Sequence, residues 1–390
     1  MRDENVSLED AQKIMREERD RLKDSIGTEV FHINNISPHT LLDRVLAEDV
    51  VANRDLPPFD VATMDGFALR VPPLYPLTIK GKIQAGEYGD GKEIGVRESF
   101  GIATGAILPK GANAVLPVEC AEIKEDVLTG GEVKKGEFVL LKGSDVRKGE
   151  VVAKKGMFIN ERILALCTLS DEICIYKKPR VGVIGSGDEI VDGLMPDSNT
   201  HMVCAYLCKM GVDAVRIGVV QDDYSILEET ISNASKKYDV VITVGGISVG
   251  EKDFVRAILE NEGEVVFQGV RIKPGKPVSF WYFNDTPVLS LPGKPTGAFT
   301  ALELVGSKMF GDIIRRSCWL RIGEKVAGQC GYVNVLYGDM DSGYFVPNGV
   351  KNGKYNTSIV SACLSTIKSS CYTLFENSIE KDEQIEVFLL

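Results

Sequence analysis

Residues 239–250, DVVITVGGISVG, followed at 252–263 by KDFVRAILENEG, decide how this chain folds. The first segment is an unbroken apolar and β-branched run that stops at a pair of glycines, which is how a strand buried on both faces reads. The second spaces its apolar residues helically and ends on Gly263, a common helix stop. The same alternation extends outward on both sides. RVGVIGSGDEI (180–190) is an apolar run ending in glycine and acids, and NTHMVCAYLCKMG (199–211) is a helix closed by Gly211. VDAVRIGVVQDD (212–223) is a further strand and YSILEETISNASKK (224–237) a further helix, while TPVLSLPG (286–293) leads into PTGAFTALELVGSKMFG (295–311). Strands and helices alternating in this way predict a parallel sheet with helices on both faces over residues 179–315. Ligands bind at the carboxyl ends of such strands. The segments GSGDE, QDD, GGISVGEKD and LPGKP all fall at those ends, so the sequence predicts that they meet in one crevice.

The flanking regions have a different texture. Ser7 with Asp10 reads as a helix cap, after which Leu8, Ala11, Ile14, Met15 and Leu22 keep helical spacing down to Gly27. From Val51 to about Ser144 short β-like runs (LTIKGKIQA, GANAVLPVE, GEFVLLKG) are broken by glycines. Mixed strand and helix patterns return at 146–178, and short β-like runs resume after Arg315. The expected fold class is therefore multidomain α/β plus β. Its expected parts are a linker domain split between 1–50 and 146–178, an inserted β domain at 51–145, an α/β domain at 179–315 and a C-terminal β domain at 316–390.

Composition narrows the function classes. The 390 residues are 44% hydrophobic and 26% charged, ordinary for a globular protein of several domains. No stretch approaches the roughly 20 apolar residues of a membrane-spanning helix, and the charged N-terminus lacks a signal peptide's apolar centre, so a cytoplasmic protein is expected. Nine cysteines without a spacing framework fit reduced thiols. A net charge of −11 argues against a nucleic-acid binder, which needs Lys and Arg to neutralise phosphates, so any anion must be held at a local site.

Chemistry concentrates at the expected strand ends. Gly245, Gly246, Ser248 and Gly250 form a strand-to-helix loop whose free amides favour a phosphate or other oxyanion, although such a turn also serves packing alone. Lys273 and Lys276, in KPGKP (273–277), add two cations on a stiff loop. Asp188, Glu189, Asp222, Asp223 and Asp253 are acids from three strand ends. Singly, each reads as a helix cap or a solvated carboxylate; beside a phosphate loop they supply the hard oxygens that Mg²⁺ requires. Three other patterns are set aside. Gly86, Gly91 and Lys92 begin a P-loop, but Glu93 stands where a metal-binding hydroxyl is needed. His201, Cys204 and Cys208 share a helix face and are assigned to core packing, with no fourth ligand evident. Three histidines in all give little support to a His-based hydrolase.

Taken together, LPPFDVATMDGFALR (56–70), GIATGAILPKGANAVLPVE (101–119), GSGDEI with DSN (185–199), VVITVGGISVGEKDF (240–254), IKPGKPVSF (272–280) and LSLPGKPTGAF (289–299) form an ordered set. The set resembles the molybdopterin molybdenumtransferase family, represented by bacterial MoeA and the E domain of gephyrin, over about residues 44–315. The resemblance implies a homodimer whose α/β domain binds the pterin and nucleotide and whose active cleft is shared between subunits. Asp65 and Thr104 of the inserted β domain would then act with Glu189, Asp222 and Asp253 in catalysis, the last three also holding Mg²⁺. Ser186, Asp197, Asn199, Gly245, Gly246, Ser248, Lys273, Lys276, Pro277, Pro292 and Pro295 would bind the pterin nucleotide and molybdate. The implied reaction takes adenylyl-molybdopterin and molybdate to the molybdenum cofactor and AMP, with a molybdopterin adenylyltransferase as a partner and no nucleic acid or membrane involved.

The chain departs from the family pattern around the oxyanion. Lys294 replaces an Asn, Gly297 a Ser, Gly269 a Lys and Leu140 an Arg, and 331–338 (GYVNVLYG) lacks expected arginines, with Arg271 as a compensating charge. Two other readings stay open: a pterin-binding carrier or scaffold with weak or tungstate-directed insertion, and a different enzyme on the same α/β domain.

Overall fold

The run Val240–Val244 is an interior strand of a seven-stranded sheet, and all five of its residues are buried. Arg180–Ser186 and Thr286–Leu291 pair with it in parallel on either side, and Asp213–Val220 pairs in parallel outside Arg180–Ser186. Alternation of the pleat sends Val240, Ile242 and Val244 into one core and Val241 into another. The helices Asn199–Lys209 and Pro295–Leu304 contribute Leu207 and Leu302 to the first core, while Tyr224–Ser235 and Phe254–Glu262 contribute Ile231 and Ile258 to the second. The expected helices on both faces are present.

The sheet is mixed, however, not wholly parallel. Ser279–Phe283 runs antiparallel to Thr286–Leu291, and Glu264–Val270 antiparallel to Ser279–Phe283. The physical cause is a two-residue turn. Asn284 and Asp285 stand at φ 49° and 60° between the paired Phe283 and Thr286, the backbone that tight hairpins require and that Asn and Asp tolerate. The edge is completed by Glu4–Val6, parallel to Glu264–Val270.

The computed structural model describes residues 4–87, 91–247, 253–311, 315–356 and 369–390. They divide into two compact units, Met1–Thr28 with Tyr176–Leu390, and Glu29–Ile175. The segment 1–50 thus does not stay together as the sequence suggests. Ser7 Oγ caps the helix Leu8–Ile26 by accepting from the Asp10 amide at 3.0 Å, and Ala11, Met15 and Leu22 bury their stripe in the α/β core. Glu29 onward packs instead with the 146–175 segment: Val50–Val51 pairs with Val151–Ala153, over a core of Ile33, Leu41, Leu46, Ile159 and Ile175.

Within the first unit the C-terminal strands close into a barrel. Val333–Asp341, Tyr344–Pro347, Ser317–Ile322, Gln384–Leu389 and Cys371–Phe375 pair in that order, and the last returns to the first. Leu336, Phe345 and Val387 fill it, while Val335, Tyr337 and Tyr372 join the α/β core. Ile272–Lys273 adds in parallel to Val333–Asp341, so the KPGKP loop springs from a strand pinned to the barrel.

In the second unit, a six-stranded sheet runs Ala114–Pro117, Gly66–Leu69, Glu98–Ile102, Leu77–Ile83, Val127–Gly130 and Ala121–Lys124. Gly66–Leu69 is buried on both faces, Phe67 and Leu69 facing one core and Ala68 the other. Gly66, of the MDG motif, has no alternative: a Cβ there would lie 2.0 Å from the Leu116 carbonyl oxygen.

Candidate functional site

Because the four parallel strands point the same way, their carboxyl ends share one edge of the sheet. A cavity of about 880 Å³ opens there. Ser186, Glu189, Asp197 and Asn199 line it after the strand Arg180–Ser186, Asp222 after Asp213–Val220, Gly245, Gly246 and Asp253 after Val240–Val244, and Pro292 and Lys294 after Thr286–Leu291. Lys273, Lys276 and Pro277 enter from the KPGKP loop. Glu189 and Asp222 arise on one side of Val240–Val244 in the sheet, and Lys294 on the other. The fold thus brings acids and cations to one cavity from opposite directions.

Backbone geometry explains the glycines of this edge. Gly245 and Gly246 stand at φ 100° and 65°, and a Cβ on Gly245 would come within 2.8 Å of the Ser186 carbonyl oxygen. Only glycine combines that conformation with that approach. Gly275 likewise stands at φ 109° with Ile272 Cδ1 2.9 Å from a notional Cβ.

The acids are coupled. The Asp222 amide donates to Asp188 Oδ1 at 3.0 Å, and the Asp188 amide donates to Asp222 Oδ2 at 3.4 Å. Burial pushes the Asp222 carboxyl above its ordinary value, and the charges of Asp188 and Glu189 push it further, against the hydrogen bond from the Asp188 amide. Ser186 Oγ is buried beside that carboxylate without completing a well-formed hydrogen bond. Asp223 points elsewhere; it caps the next helix through the Ile226 amide at 3.0 Å. Among the described residues no three His, Cys, Asp or Glu side chains converge as a ready ligand cage. Glu189, Asp222 and Asp253 therefore share the cavity but do not by themselves surround one point.

Several expected ligands have other work. Asp197 Oδ2 accepts from Arg216 Nη2 at 2.8 Å and Nε at 3.0 Å and also from the Thr200 hydroxyl, while Oδ1 takes the Thr200 amide at 3.1 Å. Burial opposes its charge, but these bonds outweigh it and hold the carboxyl below its ordinary value. Asp197 thus anchors the start of the helix Asn199–Lys209, whose first residue, Asn199, is itself buried. Asn199 Nδ2 donates to the Gly293 carbonyl at 2.7 Å, tying two of the strand-end loops together, and its buried Oδ1 has no donor among the described residues. Pro295 does not line the cavity; it starts the helix Pro295–Leu304, where a missing N–H costs nothing. Ser248 and Gly250 lie outside the described residues. Asp65 and Thr104 belong to the other unit, where Asp65 Oδ1 accepts from the Thr104 amide at 2.6 Å and hydroxyl at 2.9 Å. Those bonds, the amide first, hold Asp65 below the usual carboxylate range.

The departures around the oxyanion also have structural outcomes. Lys294 lines the cavity, and a Cβ on Gly297 beside it would make a tight contact with Pro292 Cβ at 3.3 Å. A side chain at Gly269 would be strained by its φ of 82° and would displace the Asn5 side chain, whose Oδ1 lies 2.5 Å from a notional Cβ. Arg271 is exposed and is not among the cavity-lining residues, so of these two cations it is Lys294 that the fold places in the cavity. In GYVNVLYG, the Tyr332 ring centroid lies 5.9 Å from Lys276 Nζ, within cation–π range. Nothing in the sequence pattern marked Tyr332, because its contact comes from a strand pairing across the domain.

The assignment to the core is corrected for His201 and Cys208 and stands for Cys204, which packs against the α/β core. His201 and Cys208 are exposed, and Cys204 is half-buried with its thiol pushed up to about 11 by burial. His201 and Cys208 face solvent because the opposite face of that helix carries Val203 and Leu207 into the core.

Two family models match the chain in succession. The MoeA N-terminal region (domain I and II) matches residues 6–169, and a family described as "Probable molybdopterin binding domain" matches residues 182–311. Molybdopterin molybdenumtransferase of Haemophilus influenzae is 32% identical over 289 residues, 67% of this chain and 69% of that protein. The protein of the same name from Staphylococcus aureus (strain MRSA252) is 34% identical over 282 residues, 67% of each chain. The crystal structure of the molybdopterin biosynthesis MoeA protein of Pyrococcus horikoshii aligns over 99% of both chains with a TM-score of 0.76 and 28% identity.

Proposed function

Because this chain belongs to the molybdopterin molybdenumtransferase family of molybdenum-cofactor biosynthesis, we propose that its strand-end cavity receives adenylyl-molybdopterin and molybdate and releases AMP as the metal enters the cofactor. The observation that carries this reading is the polarity of the cavity, with paired carboxylates arriving from one side of the sheet and lysines from the other. At about 880 Å³ it lies in the 300–1,000 Å³ range of small-molecule sites.

In this reading Lys273, Lys276 and Lys294 hold the oxyanion and phosphate charge, and the amides after Val240–Val244 cradle a phosphate at the start of the helix Phe254–Glu262. Asn199 Oδ1, an acceptor without a donor among the described residues, suits a ring N–H of the pterin or base. Glu189, Asp222 and Asp253 are the hard-oxygen donors for Mg²⁺. The donor chemistry fits: a cation beside Asp222 would relieve the crowding that Asp188 and Glu189 impose on it, with phosphate oxygens completing the shell. When bound, the ion would neutralise phosphate charge as the phosphoanhydride to AMP breaks. The proposal includes a homodimer in which the Asp65–Thr104 pair serves the cavity of the other subunit, a cytoplasmic location, and an adenylyltransferase as supplier of substrate. The decisive experiment incubates the purified protein with adenylyl-molybdopterin, Mg²⁺ and molybdate. AMP release that rises with molybdate supports the proposal, and AMP release indifferent to molybdate and to Mg²⁺ would refute it.

A further inference from the structure

A second cavity, of about 220 Å³, lies in the Glu29–Ile175 unit, at the end of the six-stranded sheet where Gly66–Leu69 stops and Leu77–Ile83 and Glu98–Ile102 begin. Leu77 is buried at its base, whereas Leu74 and Val96 on its walls are 54% and 77% exposed. Arg70 and Arg97 also line it. Neither guanidinium makes a hydrogen bond or ion pair with any described residue. The acid within reach is Glu98, which the antiparallel pairing of Ala68 with Phe100 brings opposite Arg70. Its charge is already committed: Glu98 Oε2 accepts from the Gly95 amide at 2.9 Å, and Oε1 lies 3.4 Å from Lys80 Nζ.

We propose that this groove docks an extended acidic and apolar peptide segment of another protein, its carboxylate held between Arg70 and Arg97 and its aliphatic neighbours covering Leu74 and Val96. In a chain of net charge −11, two unpaired arginines in one concavity favour an anionic partner, and the guanidinium fork matches a carboxylate. The volume is below that of small-molecule sites and suits one or two side chains. Arginine is also among the residues that most often carry binding energy at protein interfaces.

The test uses the full chain and a fluorescein-labelled peptide, Ala-Leu-Glu-Leu-Ala with blocked termini, followed by fluorescence polarisation at low salt. Saturable binding is expected, weakened about 10-fold or more when the peptide's Glu is replaced by Gln or when the protein carries Arg70→Glu or Arg97→Glu. Leu74→Ser with Val96→Ser should weaken it about threefold by removing apolar cover. Arg97→Lys, which keeps charge and loses the fork, should fall between wild type and Arg97→Glu, and thermal unfolding must match wild type for each variant compared. The proposal is overturned if binding does not saturate, if the Gln peptide binds equally, or if equimolar inorganic phosphate displaces the peptide completely, which would mark a free-anion site. It is equally overturned if Arg97→Glu changes the subunit stoichiometry in sedimentation, since the groove would then be an interface between copies of this chain.

Discussion

Replacing Glu303 by Gln should destabilise the α/β and barrel unit by about 3–5 kcal/mol, the range for leaving one partner of a buried ion pair uncompensated. Glu303 lies on the helix that begins at the cavity, and it is 6% exposed. Its carboxylate accepts from Arg315 Nε and Nη2, each at 2.8 Å, from Tyr206 Oη at 2.5 Å and from Tyr372 Oη at 3.3 Å. One acid therefore joins its own helix, the helix Asn199–Lys209, the entry to the barrel and the barrel strand Cys371–Phe375. Burial opposes the Glu303 charge, but the bonds from Arg315 and the tyrosines outweigh it and hold the carboxyl below its ordinary 4.5. A depressed folded pKa means the contribution is complete above the unfolded value and is lost as pH falls through the folded one. The wild-type advantage over Glu303→Gln should therefore be constant at neutral pH and shrink in acid below about pH 4.5. Both tryptophans, Trp281 and Trp319, lie in this unit, so urea unfolding followed by tryptophan fluorescence reads it directly. Glu303→Leu with Arg315→Met should recover much of the loss, because removing both charges leaves none stranded. A Glu303→Gln variant within about 1 kcal/mol of wild type, the worth of an ordinary neutral hydrogen bond, would refute the argument.

Glu189→Gln or Asp253→Asn should abolish most Mg²⁺-dependent AMP release while urea midpoints stay near wild type, and full activity in both would remove these carboxylates from the metal proposal. Lys276→Ala should raise the molybdate concentration for half-maximal AMP release by about 5- to 150-fold, the equivalent of about 1–3 kcal/mol, with Lys294→Asn acting in the same direction. Tyr332→Leu should act on the same titration by only about threefold, through the cation–π contact that steadies Lys276; identical half-saturation for wild type and Lys276→Ala would show that this loop does not hold the oxyanion. Mixing inactive Asp65→Asn and Asp253→Asn subunits should restore part of the activity if sites are shared, and failure despite demonstrated subunit exchange would place the whole site in one chain.

The sequence by itself determined the elements that repeat along the chain with a short period. Residues 180–263 carried their strands as apolar runs, their helices at 3.6-residue spacing and their ends as glycines, and together these located the binding edge. The hairpin at Asn284 and Asp285 was also legible, as two turn formers between β-rich runs, but the following strand was read alone and the antiparallel partner was missed. Tertiary structure alone decided which acids are committed to neighbouring groups. Asp197 and Asp223 look like Asp222 in sequence, yet Arg216 and Thr200 occupy the first and a helix terminus the second. It also brought Asn5 against Gly269 from 264 positions away along the chain, at a backbone φ of 82° that strains any side chain. Glu303 makes the same point. It reads as one polar residue in an apolar helix, and becomes the joint of the unit only because Tyr206 and Tyr372, 97 and 69 positions distant, close on it. Local spacing records what a residue does to its own backbone, whereas the partners of a buried charge are set by how the sheet and barrel bring distant strands together.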